Sequence, residues 1–223
     1  MPHFDIIKKS NVKDTFRVSK IKADFDVKTE HSNEHFIGDI NMPDDWQIGV
    51  IVGGSGTGKS TIAKELFGDH ICNFEYVAQS VVDDMPNVSI EEISRMFYAV
   101  GFGSVPSWLK PYNVLSNGEK MRVDLARAML SNDFVVFDEF TSVVDRQIAQ
   151  TTCIAISKAI RKTKKQFIAV SCHYDILDWL QPDWVFDTNK MQSFFGQSRD
   201  PKKNLQLKNA TLVSDENLDV III

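Results

Sequence analysis

Nine residues stand out for the chemistry they could perform: Gly53, Gly54, Ser55, Gly56, Thr57, Gly58, Lys59, Ser60 and Thr61. They fit the pattern G-x-x-x-x-G-K-[ST] at every fixed position, the spacing of a loop that cradles phosphate. Glycines let successive backbone N–H groups curl around an anion without Cβ clashes. In this pattern Lys59 reaches the β- and γ-phosphates and the Ser60 hydroxyl ligates Mg²⁺. A second chemical pair, Asp138 and Glu139, closes the apolar run Phe134-Val135-Val136-Phe137. A carboxylate at a strand end can orient Mg²⁺ beside a phosphate loop, and the glutamate after it can accept a proton from an attacking water.

These residues need elements to hold them. Trp46 to Val52 reads as a buried strand running into the loop, and Ser60 to Phe67 carries Ile62, Ala63, Leu66 and Phe67 at helical spacing before Gly68. The phosphate site would thus sit at a helix N-terminus, whose partial positive charge favours anions. Ile71 to Gln79 reads as a further core strand. Ser89 and Glu92 have the spacing of a capping box that opens a helix to about Val100. Ser104 to Val114 reads as loop, Leu115 to Leu130 as a periodic helix and Asp145 to Lys162 as another. Gln166 to Ser171 is a buried strand ending at Cys172-His173, followed by a helix near Asp175 to Leu180 and strands at Trp184 to Asp187 and Gln192 to Phe195. Upstream, Phe16 to Val18 and Ile21 to Val27 alternate like half-buried strands, Thr29 to Glu34 reads as a turn, and His35 to Ile40 as a strand. Strand-helix alternation predicts an α/β fold with a mostly parallel sheet and ligands at the carboxyl ends of its strands. Gln79, Asp138, Glu139 and His173 all fall at such predicted ends.

The order of these motifs resembles that of the ABC-type ATPases. Phosphate loop, Gln79, Leu115-Ser116-Asn117-Gly118-Glu119, Phe137-Asp138-Glu139, Ser142-Val143-Val144-Asp145 and His173 stand in the family's sequence, across about residues 35 to 190. The resemblance implies a P-loop NTPase fold with an N-terminal antiparallel β part (about 1–45), a short helical insert (about 80–130) and a C-terminal tail (about 196–223), all in a single ATPase domain, 1–223. It implies ATP and Mg²⁺ as cofactors. Gln79 would sense Mg²⁺ and the attacking water, His173 would contact the γ-phosphate, and Asp145 would belong to the loop that communicates between sites. Ser116 and Gly118 would cap the γ-phosphate bound by the other subunit of a head-to-tail, ATP-dependent homodimer.

The sequence also departs from the family's usual pattern. Asn117 stands where glycine is usual, and asparagine tolerates left-handed backbone better than most residues. Glu119 replaces the commoner glutamine, and Leu-Ser-x-Gly-Glu is also the form seen in DNA-maintenance and DNA-repair members. Those proteins carry a long coiled coil between their halves, whereas only about 37 residues separate Gln79 from Ser116 here. That gap is short for a transporter subunit too. His35 and Phe36 are the aromatic candidates for stacking on adenine.

Composition sets the outer bounds. A net charge of −5 over 223 residues gives no global pull toward nucleic acid, although Lys8, Lys9, Lys13, Arg17, Lys20 and Lys22 make the N-terminal arm locally basic. Cys72, Cys153 and Cys172 are odd in number and lack C-x-x-C spacing, which argues against a disulfide framework or zinc site and for a reducing, cytoplasmic setting. No apolar window approaches transmembrane length. The reading is a MgATP hydrolase working as a switch on an unidentified protein partner, with a transporter subunit and a DNA-maintenance ATPase as alternatives. The apolar end Asp219 to Ile223 would be an edge strand or a docking peptide.

Overall fold

The computed structural model describes residues 1–9, 13–26 and 33–195. Of the expected turn at Thr29 to Glu34, residues 29–32 lie outside the described residues and Asn33 and Glu34 belong to a strand; the tail from Gly196 onward and the terminal stretch Asp219 to Ile223 also lie outside the described residues.

Among the described residues, five strands form the central sheet in the order β4-β5-β3-β6-β7: β3 (Ile48–Val52), β4 (Phe134–Phe137), β5 (Gln166–Ser171), β6 (Trp184–Asp187) and β7 (Gln192–Phe195). The first four run parallel, and β7 returns antiparallel against β6. Strand β3 is buried at all five positions, as a central strand covered on both faces must be. Its alternate residues serve two cores. Ile48, Val50 and Val52 join Val135, Phe167 and Ala169 under α3 (Ile90–Ala99), α5 (Asn117–Ser131), α6 (Arg146–Ile160) and α7 (Ile176–Leu180). Ile51 faces the other way, joining Val136, Ile168, Val170 and Phe186 beneath α2 (Lys59–Phe67). A separate antiparallel strand pair, β1 (His3–Lys9) with β2 (Asn33–Asp39), feeds Phe4 into this second core. Gly49 is a packing device: a Cβ built there would lie 2.2 Å from the Trp184 ring on the adjacent strand.

The predicted Ser89–Glu92 capping box forms, and a second one opens α5. Ser89 accepts from the Glu92 N–H and Glu92 returns to the Ser89 N–H, and Ser116 and Glu119 repeat the arrangement at α5. The first three positions of α2 follow Gly58 rather than a capping side chain. Helix α2 ends at Phe67 with Gly68 as its C-cap, and a 3-10 turn, Gly68–His70, follows.

Three sequence expectations are corrected. Phe16 to Val18 and Ile21 onward are not strands but one helix, α1 (Phe16–Asp24), with Thr15 as N-cap accepting from the Val18 N–H. Val18, Ile21 and Phe25 also satisfy helical spacing, and none of the helix's residues is buried, so no sheet is available to select the extended form. Ile71 to Gln79 makes only a single parallel bridge, Ile71 to Val136. Its backbone groups are captured by side chains instead: Asp84 accepts from the Val77 and Ala78 N–H groups at 3.1–3.2 Å, and Arg127 donates to the Glu75 carbonyl at 2.8 Å. Gln79 is therefore not at a strand end. Within Ser104 to Val114, expected as loop, α4 (Val105–Trp108) and a 3-10 turn (Tyr112–Val114) form.

Candidate functional site

The phosphate loop leaves β3 at Val52 and enters α2 at Lys59. Gly56 and Gly58 have φ of +81° and +84°, left-handed values that glycine adopts freely. Gly58 is doubly constrained, since a Cβ there would meet the Phe36 ring at 2.7 Å. A Cβ at Gly56 would meet nothing within 4 Å, so the outer rim of the loop faces open space. Among the described residues no side chain caps the α2 N-terminus, which leaves its first-turn N–H groups directed along the axis toward that space. Lys59 folds back over the loop, its Nζ donating to the Gly54 carbonyl at 2.5 Å.

The second acidic motif meets the loop here. Ser60 Oγ donates to Asp138 Oδ1 at 3.0 Å across 78 residues of sequence, and the Glu139 N–H donates to the same oxygen at 2.9 Å. Glu139 itself is exposed and has φ of +53°, with Thr141 at +66°. Left-handed backbone at two non-glycine residues is costly and persists only where the surroundings impose it. The cause is Phe140, which lies wholly buried between Phe137 and Phe167 and donates its N–H to the Val170 carbonyl at 2.9 Å. Anchoring Phe140 inward turns Glu139 outward.

Sequence reasoning missed the brace under the loop. Thr188, just past β6, shares a 2.6 Å hydroxyl hydrogen bond with Thr57 and donates to the Val52 carbonyl at 3.2 Å. Asn189 accepts from the Gly54 N–H at 3.2 Å. Buried Asp187 fixes this turn by accepting from Tyr174 Oη and the Asn189 N–H. Threonine and asparagine after a strand look like ordinary turn residues in sequence, and only their partners 131 to 135 residues away distinguish them.

The remaining predicted residues lie apart from this cluster. Asp145 caps α6, accepting from the Ile148 N–H at 2.9 Å. His173, after β5, contacts Arg146 through Nδ1 at 3.1 Å. The α5 start packs on the α6 start, where a Cβ added at Gly118 would lie 3.3 Å from Ile148. Ser116 donates to Glu119 at 2.8 Å, and Glu119 is held below the usual carboxylate range first by the Ser116 backbone N–H. Among the described residues, neither Ser116, Gly118, Gln79 nor His173 bonds to Lys59, Ser60 or Asp138. Of the two aromatic candidates, Phe36 lies against the phosphate loop, while His35 pairs with Asp5 at 2.6 Å, both exposed on the β1–β2 sheet.

Where Asn73 and Phe74 leave β4 after the Cys72 N–H has bonded the Val136 carbonyl, a cavity of about 240 Å³ remains beside Asp138, lined also by Tyr112, Asp124 and Phe137. Burial pushes the Asp124 carboxyl up, although Tyr112 donates to it at 2.7 Å. Burial also pushes the Cys72 thiol up to about 11 and Cys153 up to about 12, so neither supplies a thiolate near neutrality.

Chemically, the cluster combines open backbone N–H groups, an ammonium, a hydroxyl and a carboxylate. That donor set fits a polyphosphate with a hard divalent cation.

Two solved structures share this architecture. The dimeric structure of MJ0796, a bacterial ABC transporter cassette, matches 69% of this chain and 87% of its own at 14% identity, with a TM-score of 0.53. A post-hydrolysis state of the same cassette, bound to ADP and Pi, matches 83% of this chain and 92% of its own at 13% identity, with a TM-score of 0.56. The chain has the fold of an ABC-type ATPase cassette. Sequence relatives agree with that assignment. The energy-coupling factor transporter ATP-binding protein EcfA1 of Staphylococcus aureus (strain USA300) is 26% identical over 181 residues, covering 63% of this chain and 66% of the relative. The chain thus spans just under two thirds of that relative's length. An ATP-dependent lipid A-core flippase from Blochmanniella floridana is 34% identical over 109 residues, 45% of this chain and 17% of the flippase. No family model matches the chain. Among the described residues, no helix is long and apolar enough to cross a membrane.

Proposed function

We propose that this chain, taken as one domain over 1–223, binds and hydrolyses MgATP in the cytoplasm as an ATP-dependent head-to-tail homodimer. In this reading dimer closure and opening switch an unidentified protein partner. The observation that carries the proposal is the Ser60–Asp138 hydrogen bond beside Lys59, which unites two motifs from opposite parts of the sequence around one open loop.

Gly53 to Gly58 and the α2 N-terminus would hold the phosphates, with Lys59 moving from the Gly54 carbonyl to a phosphate oxygen. Ser60 and Thr61 would complete the cradle. Mg²⁺, when bound, would neutralise phosphate charge, held by Ser60 and oriented by Asp138 and Gln79. Glu139, turned outward by buried Phe140, would accept the proton of the attacking water. His173 would donate to the terminal phosphate. Ser116, Gly118 and Asp145 would act across the dimer, consistent with their lying outside the Lys59 cluster in one subunit. Dimeric neighbours of the same fold support this arrangement.

A second reading, as the nucleotide-binding subunit of a transporter, is favoured by one observation: the relatives named above are transporter proteins. It predicts co-purification with a membrane partner.

The deciding experiment is the solution mass of Glu139→Gln with and without MgATP, by light scattering behind a sizing column. Mass doubling only with MgATP is expected. A monomer in both conditions with ATP bound overturns the homodimer, and failure of the wild type to bind ATP overturns the nucleotide reading.

A further inference from the structure

Arg146, the first residue of α6, follows the Asp145 cap and reaches across to the segment after β5. Its guanidinium is used on three sides. Nε donates to Asp175 Oδ2 at 2.9 Å and Nη2 to Asp175 Oδ1, a bidentate fork. Its carbon centre lies 5.2 Å from the Trp179 ring centroid. Nη1 points at His173 Nδ1, 3.1 Å away. Among the described residues the His173 ring makes no other hydrogen bond.

The chemistry of this contact is one-directional. A guanidinium has five N–H donors, no acceptor, and does not deprotonate in proteins. His173 Nδ1 must therefore be the acceptor and carry no proton, which places the ring N–H on Nε2. The backbone adds a second constraint, because the His173 N–H donates to Ser171 Oγ at 3.2 Å.

We propose that Arg146 is a positioning residue, clamped by Asp175 and Trp179, that holds His173 as its Nε2–H tautomer and presents that N–H to the terminal phosphate. This rests on the nucleotide reading above and adds a residue to it. Lysine would not reproduce the arrangement, since one ammonium cannot make the planar fork to Asp175 and the contact to the imidazole together.

The test reads the ring nitrogens of ¹⁵N-histidine-labelled full-length chain, with His173→Gln assigning the resonance, alongside steady-state hydrolysis. In the wild type His173 should show a protonated Nε2 and a bare Nδ1. In Arg146→Met the two tautomers should mix, and kcat should fall roughly ten- to hundred-fold with KM for MgATP little changed. Arg146→Lys should recover part of the loss. Arg146→Met combined with His173→Ala should be no slower than His173→Ala alone, because the arginine acts only through the ring. An unchanged tautomer in Arg146→Met, or additive losses in the double variant, overturns the proposal. Should Arg146→Met fail to fold, Asp175→Asn loosens the same clamp and is read by the same resonances, with an unshifted tautomer again overturning it. The ring measurement needs no nucleotide, so the two readings fail separately. A protonated Nδ1 in the wild type sinks the role of Arg146 alone, whereas absent turnover with an Nε2–H ring sinks the proposed function.

Discussion

At the scale of single residues, the phosphate loop is held from beneath as well as shaped from within. Lys59→Met removes an ammonium lying over the loop; loss of a charge-assisted hydrogen bond of about 2–3 kcal/mol should weaken ATP binding roughly 30- to 150-fold. Equilibrium titration with a fluorescent ATP analogue checks this, and an unaltered affinity would remove Lys59 from the site. Thr188→Val deletes the hydroxyl that bridges Thr57 and the Val52 carbonyl without changing shape. It should cost about 1 kcal/mol in stability and a smaller, measurable part of ATP affinity, because the loop loses its brace while keeping its donors. Glu139 illustrates the opposite case, in which a strained backbone is imposed by a neighbour: Phe140 is committed to the core, and the acid is turned to solvent as a result.

At the scale of elements, what can be read from sequence divides by the reach of the interactions involved. The Ser89 and Ser116 capping boxes close within four residues, and the phosphate loop within nine, so residue types and spacing alone make both legible. Strands β3, β4, β5 and β6 are legible because burial on both faces leaves a continuous apolar run. Residues 71–79 also read as strand, with Ile71, Phe74, Tyr76 and Val77 among them, yet Asp84 and Arg127 take up their backbone groups, and only one bridge to β4 survives. Helix α1 is ambiguous in sequence because its apolar residues satisfy both periods and no partner strand decides between them. Thr188, Asn189 and Arg146 stay hidden because their roles are fixed by partners distant in sequence. One legible residue has an illegible reason: Gly49 interrupts an apolar strand to make room for the Trp184 indole. Gly49→Ala should therefore destabilise the fold by about 1–3 kcal/mol through overpacking, seen as a lower urea midpoint with an unchanged slope.

At the scale of the whole molecule, the lower edge of the sheet is tied to the helical layer by one carboxylate. Asp183 accepts from the Gln47 N–H at 2.7 Å, the Ile48 N–H at 2.9 Å and Arg161 at 2.7 Å. Burial pulls this carboxyl upward, but Arg161 and the two backbone N–H groups together hold it below the ordinary carboxylate value. A carboxyl held low by folding stabilises the native state above the unfolded value of about 3.9, and that contribution is lost as pH falls through the folded value. Stability of the wild type should therefore drop more steeply than that of Asp183→Asn below about pH 4, a difference that denaturant unfolding at a series of pH values would show. If the two curves fall in parallel, Asp183 is not the group responsible.

Helix α6 joins these scales. Arg146 grips His173 and Asp175 at its first turn, and Arg161, one residue beyond its last, grips Asp183 at the root of β3. The helix is a rod about 22 Å long, pinned at both ends to the two strands that flank the phosphate loop's own floor. Its length is thereby gauged: one residue inserted mid-helix would turn the far end by about 100° and release one pin or the other. A residue added to a neighbouring surface loop would carry no such consequence.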